Sequence, residues 1–275
     1  MARWCSCRRP AGERTVGSTR ATLNVSASFR ERIAAREVLA GSFVLELPTR
    51  AAIECYALAG FDFVVLDLEH SSVDLGLLSL LIATCDAVGI ASLVRIEAGA
   101  TSSITRILDM ETGGVMVPGV RSAAEAADVV AAARYHPVGR RGLAPIVRHG
   151  LRSSSTSAQT GEAATTVVVQ LEAAEHVREA AAVAATEGID VVFVGPYDLS
   201  QSVGHPGELD HPDVVAAGEQ LADQIAPHAA LGVYVERPAQ VARWRAAGAS
   251  FLTLRTDGRI FFDGCREMLG RFVPR

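Results

Sequence analysis

The chain has 275 residues, of which 49% are hydrophobic and 21% charged, and its formal net charge is −5. This is enough apolar sequence for a large buried core, whereas no apolar run reaches the ~18 residues of a membrane span, so a soluble protein is expected. The first 30 residues carry six arginines and one acid, and the acidic remainder has no basic cluster, which argues against nucleic acid as the main partner.

All 26 basic residues are arginine, and lysine is absent. Schiff-base aldolases, pyridoxal-phosphate enzymes and P-loop nucleotidases each need a lysine amine at their centre. Composition therefore excludes these three classes. The five cysteines are odd in number and scattered, which favours a reducing cytoplasm over a disulfide framework.

Residues 1–34 are predicted to be a disordered leader. They are rich in arginine and serine, and we find no apolar periodicity in them. They also lack the apolar centre of a secretory signal, although their composition imitates an organellar transit peptide. The folded domain is expected to span residues 35–275.

Short β-branched runs alternate with helical stretches from residue 40 onward. The predicted strands, in chain order, are 42–47, 63–68, 92–97, 114–119, 166–172, 190–195, 231–236 and 251–255. Eight apolar strands, each followed by a helix, predict an all-parallel sheet covered by helices. Their number and the total length indicate an α/β fold of the (β/α)₈ TIM-barrel type. The alternative is an open doubly wound sheet, which is disfavoured because no G-x-G-x-x-G follows the first strand.

The alternation breaks once, at residues 135–165, which are rich in Gly, Arg and Ser. Such long connections in compact domains are usually functional, interfacial or disordered. We expect an ordered turn at "HPVGRRG" and a mobile segment at "SSSTSAQTG".

Polar residues recur where the predicted strands end. The segment "VVLDLEHSS" places three ionisable groups after an apolar run, and burying such groups without partners is costly. In a barrel these ends meet at one face, where barrel enzymes hold their active sites. The residues concerned are Asp67, Glu69, His70, Arg95, Gln170, Glu172, Asp198, Tyr234 and Glu236.

Glu172 and Asp198 offer two hard oxygen ligands from successive strands, which suits Mg²⁺ or Mn²⁺ with positions left for water and substrate. Such a metal can chelate a 2-oxo acid. Arg95 can meet charge developing on the keto oxygen, and His70 can carry a proton near neutrality. Backbone N–H groups of "GPYDLS", which includes Gly195 and Pro196, can bind the substrate carboxylate.

Each residue alone also has a plainer interpretation. The Asp67, Glu69 and His70 cluster fits a solvated strand end, and Arg95 fits a simple ion pair. Glu172 could be a first-turn acid and Asp198 a helix N-cap. Together they predict C–C bond formation or cleavage through a metal-bound enolate, a route that also needs no lysine.

The sequence resembles the HpcH/HpaI family of class II pyruvate aldolases, within the phosphoenolpyruvate/pyruvate barrel superfamily. The resemblance runs from about residue 35 to the C-terminus. It is carried by the motifs "AGFDFVVLDLEHSS", "LVRIE", "GGVMVPGV", "RYHPVGRRG", "VVVQLE" and "IDVVFVGPYDLSQSVGHPGELDHPDV". It implies a barrel that is commonly hexameric, a trimer of dimers, with sites near subunit contacts.

The resemblance also implies individual roles. His70 corresponds to the base, Arg95 to the transition-state stabiliser, and Glu172 and Asp198 to the metal ligands. Further positions correspond to substrate contacts (Gln170, Gly195, Pro196, Tyr197, Asp198, Tyr234), to an acid that raises the basicity of the histidine (Asp109), and to supports around the metal (Asp67, Glu69). Glu111 stands where the family commonly has glycine, and Tyr197 and Tyr234 are bulkier than in several relatives, so an altered turn and aldehyde pocket are expected.

The sequence therefore predicts a cytoplasmic, homo-oligomeric aldolase that uses Mg²⁺, Mn²⁺ or Co²⁺ to make or cleave 4-hydroxy-2-oxo acids from a small 2-oxo acid and an aldehyde. One alternative is a Claisen-type acyl-CoA lyase or citrate-synthase-like enzyme, with the Arg-rich 140–152 segment binding the CoA phosphates. Another is a non-enzymatic barrel that binds a ligand or partner.

Overall fold

Eight parallel strands close into a barrel in the computed structural model, which describes residues 21–144 and 165–273, with side chains from residue 25 onward. Each strand pairs with the next along the chain, and the eighth returns to the first. The strands are β1 (Leu39–Val44), β2 (Phe63–Asp67), β3 (Ala91–Arg95), β4 (Gly114–Val117), β5 (Thr166–Leu171), β6 (Val191–Val194), β7 (Ala230–Val235) and β8 (Ala249–Thr256). The predicted (β/α)₈ barrel is confirmed.

Ten α-helices lie within the described residues, most of them on the outside of the barrel. They are α1 (Ala21–Ala34), α2 (Arg50–Ala59), α3 (Leu75–Val88), α4 (Ile104–Leu108), α5 (Ala123–Ala133), α6 (Val177–Ala184), α7 (Pro196–Ser202), α8 (Pro212–Ile225), α9 (Pro238–Ala246) and α10 (Asp257–Phe272). None of these described helices is long and apolar enough to cross a membrane.

The first strand lies three residues earlier than predicted. The apolar run that follows Val44 is not paired as a strand, because the carboxylate of Asp257 accepts hydrogen bonds from the backbone N–H groups of Leu45, Glu46 and Leu47 at 2.8–3.1 Å. A side chain at the start of α10 thus replaces a neighbouring strand as the partner of this segment.

The barrel interior is filled by large apolar side chains. Phe63 and Phe251 stack with their ring centroids 4.2 Å apart. Gly41 makes room for them, since a Cβ atom there would lie 2.3 Å from the Phe63 ring. A second apolar layer lies between the outer face of the sheet and the helices, so both faces of every strand are buried, as expected for a parallel sheet.

The predicted leader is wrong in its boundary, because residues 21–34 form helix α1. Val25, Phe29 and Ile33 are spaced four apart and therefore share one face of the helix. Phe29 and Ile33 are buried, and the Phe29 ring lies 5.4 Å from Phe63 at the amino-terminal end of the barrel. The serines and arginines between them obscured this periodicity. Residues 1–20 lie outside the described part of the chain.

The turn predicted at "HPVGRRG" is ordered. Backbone N–H groups of Gly139, Arg140 and Arg141 donate to the carbonyls of Tyr135, Ala131 and Arg134 at 2.7–2.9 Å. The segment "SSSTSAQTG", predicted to be mobile, lies outside the described residues.

Candidate active site at the carboxyl-terminal end of the barrel

A cavity of about 290 Å³ opens at the carboxyl-terminal ends of the strands. Eight residues predicted from the sequence line it: His70, Arg95, Gln170, Gly195, Pro196, Tyr197, Asp198 and Tyr234. The chain therefore brings strand ends from most of the barrel to a single space. Asp67, Glu69 and Glu172 lie directly next to lining residues of that space.

Arg95 is held in a fixed position by Asp67, its neighbour on the adjacent strand. Its Nε and Nη2 atoms donate to the two carboxylate oxygens of Asp67 at 2.7 and 2.8 Å, which is a bidentate pair. Asp67 is completely buried and also accepts from the backbone N–H groups of Glu69 and His70. The guanidinium lies 4.8 Å above the Phe43 ring. Asp67 thus positions both the arginine and the loop that carries His70.

Glu69 lies between the arginine and the histidine. Its Oε2 atom is 3.2 Å from Nη1 of Arg95 and 3.8 Å from Nε2 of His70. Burial raises the pKa of Glu69, and the charges of Arg95 and His70 oppose that shift. The His70 side chain is 64% exposed, so it reaches both the cavity and solvent. His70 is therefore well placed to exchange protons.

The carboxylates of Glu172 and Asp198 repel each other across the site. Burial raises the pKa of Glu172 to about 7, and the charges of Asp198 and Glu69 add to the shift. Glu172 accepts one hydrogen bond, from the Gly119 backbone N–H at 3.0 Å, and packs against Gly195, where a Cβ atom would come 3.1 Å from its Cγ. Three acidic groups around one small space fit a divalent cation of the oxygen-preferring kind.

The plainer interpretations of these two acids do not hold. Gly195, rather than Asp198, occupies the N-cap position of α7, and Asp198 lies within the first turn. Glu172 follows the last residue of β5 and precedes any helix. Neither side chain is a helix cap in this structure.

Gln170 presents an unusual buried amide to the cavity. Its side chain is 2% exposed, and its Oε1 atom has no hydrogen-bond partner within the described part of the chain. An unpaired buried carbonyl costs free energy, so this atom is available to a ligand hydroxyl or a bound water.

Asp109 does not contact His70 within the chain. Its carboxylate lies 2.7 Å from Nη2 of Arg141, whose guanidinium stacks 4.7 Å above the Tyr135 ring. The predicted effect of Asp109 on His70 therefore has no contact to support it here, because Arg141 takes the carboxylate.

The family described as HpcH/HpaI aldolase/citrate lyase matches residues 42–263. The chain belongs to this family. It is 32% identical over 248 residues to 5-keto-4-deoxy-D-glucarate aldolase of Shigella dysenteriae serotype 1 (strain Sd197), covering 89% of this chain and 96% of that one. It is 34% identical over 248 residues to hydroxypyruvate/pyruvate aldolase of Pseudomonas aeruginosa, covering 89% and 92%.

The fold is also similar to a crystal structure of citrate synthase SbnG, with a TM-score of 0.79 and 26% identity, covering 88% of this chain and 96% of that one. The chain is thus similar both to proteins named as aldolases and to one named as a citrate synthase. Membership supports an aldolase or lyase, and the choice between the two reactions depends on the site.

Glu111, where the family resemblance implies a glycine, adopts the left-handed conformation at φ 65°. Glycine reaches this region without steric cost, whereas a glutamate does not. The turn before β4 is therefore built with the backbone geometry of a glycine turn.

Several residues around the cavity were not predicted. These are Phe43, Leu45, Phe193 and Thr256. Glu236, which the strand-end pattern did include, accepts a hydrogen bond from the Tyr197 hydroxyl. Phe43 and Phe193 belong to apolar strands and look like ordinary core residues in sequence. Only the closure of the barrel shows that they also face the cavity.

One further group has the composition of a metal site. Ligand atoms of His205, His211 and Asp213 lie within 4.8 Å of one another. The two imidazole rings, however, stack with centroids 3.3 Å apart at 17°. Nitrogen lone pairs lie in the ring planes, so two nearly parallel rings cannot direct them at one ion. This cluster is better explained as packing, with His211 capping α8.

Proposed function

We propose that the protein is a divalent-metal-dependent aldolase that makes or cleaves 4-hydroxy-2-oxo acids from a pyruvate-type donor. The observation that carries the proposal is a group of three interacting acids, Glu69, Glu172 and Asp198, next to a fixed Arg95. Asp198 and Arg95 line the cavity, and the other two acids lie beside it. The named activities of the two aldolase relatives agree with this chemistry.

Glu172 and Asp198 would hold Mg²⁺, Mn²⁺ or Co²⁺, which when bound would act as a Lewis acid toward the keto oxygen of the donor. Glu69 would order water next to them. The first-turn N–H groups of Tyr197 and Asp198 have no intrahelical acceptor and would bind the donor carboxylate. Gln170 would accept a hydrogen bond from the substrate through its unpaired Oε1.

Arg95 would stabilise the negative charge that develops on the donor oxygen as the enolate forms. Asp67 holds it with two hydrogen bonds, so the guanidinium is preorganised and little reorganisation accompanies the reaction. His70 would remove the proton of the C4 hydroxyl during cleavage and return it to the new alkoxide during synthesis. Its exposure lets that proton exchange with solvent.

The test is a screen of aldol and retro-aldol pairs with a coupled pyruvate readout under several divalent cations. Pyruvate, hydroxypyruvate and oxaloacetate serve as alternative donors. Thorough chelation should abolish activity, and added Mg²⁺, Mn²⁺ or Co²⁺ should restore it. Activity that survives chelation would contradict the proposal.

A Claisen-type or citrate-synthase-like reaction is the second candidate, and it is favoured by the similarity to citrate synthase SbnG. It needs a cationic groove for the CoA phosphates. Arg140 and Arg141, at the start of the segment predicted to supply one, already pair with Asp128 and Asp109. Thermal shifts with pyruvate, oxalate and acetyl-CoA separate the reactions, since only the Claisen-type enzyme should be stabilised by acetyl-CoA.

We also propose that the protein self-associates, as a hexamer built from three dimers, in the cytoplasm. Helix α10 exposes apolar side chains along most of its length, including Ile260, Phe261, Phe262, Leu269 and Phe272. An apolar face of this extent on an outer helix is typical of a subunit contact. The described cysteines carry free thiols, which agrees with a reducing compartment. Light scattering measures the assembly directly, and a monomer at micromolar concentration would contradict it.

A further inference from the structure

The lining of the cavity is divided between two sides of the barrel. The ionisable and amide side chains come from β2, β3, β5 and the start of α7. The other part of the lining, formed by β1, β7 and the inward face of β6, contributes Phe43, Leu45, Phe193 and Tyr234. It meets the polar part where the Arg95 guanidinium lies over the Phe43 ring. A substrate whose oxo-acid end lies among the polar groups therefore extends toward an aromatic wall.

This wall is continuous. The rings of Phe43 and Tyr234 have centroids 6.4 Å apart, those of Phe43 and Phe193 6.1 Å, and those of Tyr197 and Tyr234 5.8 Å. These separations are typical of interacting aromatic clusters. The hydroxyl of Tyr197 donates to Glu236, which fixes that ring at the edge of the cavity. Burial raises the pKa of Tyr197 to about 12, so the phenol stays neutral.

Among the described residues, each arginine near the wall already has a carboxylate partner. Glu236 stands next to Tyr197. Arg95, the one arginine among the described residues that line the cavity, is already engaged by Asp67 and Glu69. Three more arginines, Arg237, Arg255 and Arg259, are close enough to influence the hydroxyls of Tyr197 and Tyr234. Arg237 pairs with Asp210, and Arg255 and Arg259 share Asp263.

We infer that the aldehyde partner of this reaction is aromatic and uncharged, with its ring against Tyr234, Tyr197 and Phe43. The inference rests on the proposed aldolase function and specifies its second substrate. It separates this chain from an enzyme for a sugar diacid, since the aldehyde cleaved from a diacid carries a carboxylate. Next to the wall that carboxylate would meet Glu236 and, among the described residues, only arginines that already have a carboxylate partner. The cavity of about 290 Å³ has room for a three-carbon donor and one ring.

The experiment measures kcat/KM for aldol addition of the preferred donor to benzaldehyde, 4-carboxybenzaldehyde and succinic semialdehyde. The first two aldehydes share a ring and differ in charge. Benzaldehyde should exceed each carboxylate-bearing aldehyde by about tenfold or more, in the range that a shaped apolar pocket provides. Equal or lower kcat/KM for benzaldehyde would overturn the inference.

Two variants make the test specific to the wall. Tyr234→Leu should lower the ratio of benzaldehyde to succinic semialdehyde by about tenfold. Glu236→Gln should raise kcat/KM for 4-carboxybenzaldehyde relative to benzaldehyde. If both ratios stay at the wild-type value, the wall does not select the aldehyde and the inference fails.

Exchange of the donor methyl or methylene protons in D₂O needs no aldehyde and therefore reports the donor half of the reaction alone. Exchange combined with no aromatic preference would overturn this inference and leave the aldolase proposal standing. Absence of exchange with pyruvate, hydroxypyruvate and oxaloacetate would overturn both.

Discussion

The two ends of the barrel differ in how their acidic residues are paired with arginines. At the amino-terminal end Asp190 accepts hydrogen bonds from Arg30, Arg134 and the Val167 backbone, all at 2.8–2.9 Å. Asp62 likewise pairs with Arg32. At the carboxyl-terminal end the acids around the cavity outnumber the single arginine that faces them among the described residues.

This difference distinguishes acids that stabilise the fold from acids that are proposed to act in the reaction. A buried acid with arginine partners connects elements of the fold. Here Asp190 links Arg30 of α1, Arg134 at the end of α5 and Val167 of β5. Burial destabilises the ionised form of an acid, and other acids nearby add to this effect, which is why the pKa of Glu172 rises to about 7. The surplus of acids at the carboxyl-terminal end is the basis of the proposed cation site, and the predictions below test the contrast between the two ends.

The largest effect is expected from Glu172→Gln. The amide keeps the shape but removes a charge that the cation needs, so aldol activity should fall more than ~100-fold, beyond the usual cost of losing an outer partner of a metal ligand. The measurement is the steady-state rate at saturating Mn²⁺.

Asp62→Asn is the matched control at the other end. It also replaces one acid by its amide, but it should keep kcat near the wild-type value while lowering thermal stability. Equal activity loss in both variants would mean that the two ends do not differ in function.

His70→Ala should slow turnover by roughly 10²- to 10⁴-fold, the range typical of a general acid–base group. His228, which is exposed and far along the chain on the connection before β7, provides the control. His228→Ala should leave the rate unchanged. A wild-type rate in His70→Ala would remove that residue from the mechanism.

Asp190→Ala should act on stability instead. It leaves Arg134, which is 1% exposed, without its counter-charge, and such a loss costs roughly 3 to 5 kcal/mol. Urea unfolding measures the free energy of unfolding. The exposed pair of Arg140 and Asp128 is the reference, since Asp128→Ala should cost ~1 kcal/mol or less. Similar losses in the two variants would contradict the structural role of Asp190.

A smaller effect should appear in the pH dependence of metal binding. The pKa of Glu172 is raised in the folded protein, so without metal its contribution to stability declines as pH rises from ~4.5, the ordinary value, toward 7. At pH 6 a cation must displace a proton from Glu172, and at pH 8 it need not. The increase in Tm on adding Mn²⁺ should therefore be larger at pH 8 than at pH 6.

Glu172→Gln should remove this pH dependence along with most of the Mn²⁺ effect. An increase in Tm that is the same at both pH values in the wild-type chain would show that Glu172 does not titrate with the metal.

The barrel could be predicted because each strand is buried on both faces and therefore appears as a continuous apolar run. The position of β1 could not, since it depends on the Asp257 carboxylate, more than 200 positions along the chain, which holds residues 45–47. Helix α1 was missed because small, mostly polar residues separate Val25 from Phe29, and Arg30 and Arg32 separate Phe29 from Ile33. These two arginines pair with Asp190 and Asp62.

The polar half of the site could be predicted from strand ends, because residue type and barrel geometry suffice to bring them together. The aromatic half could not, since Phe43 and Phe193 have the same sequence signature as core residues. Asp109 was assigned through the resemblance alone, and its contact with Arg141 depends on the turn after α5. The sequence thus predicts which residues lie at the ends of the strands. The structure is needed to show which contacts the loops and distant side chains make.

The central claim is that Glu172 and Asp198 hold a divalent cation at the carboxyl-terminal end of the barrel. Its most direct test is a titration of Mn²⁺ into the chelator-treated protein, followed by electron paramagnetic resonance. The account predicts one tight site per chain that is lost in both Glu172→Gln and Asp198→Asn and kept in Asp62→Asn. Mn²⁺ binding that is unchanged in both Glu172→Gln and Asp198→Asn would contradict it.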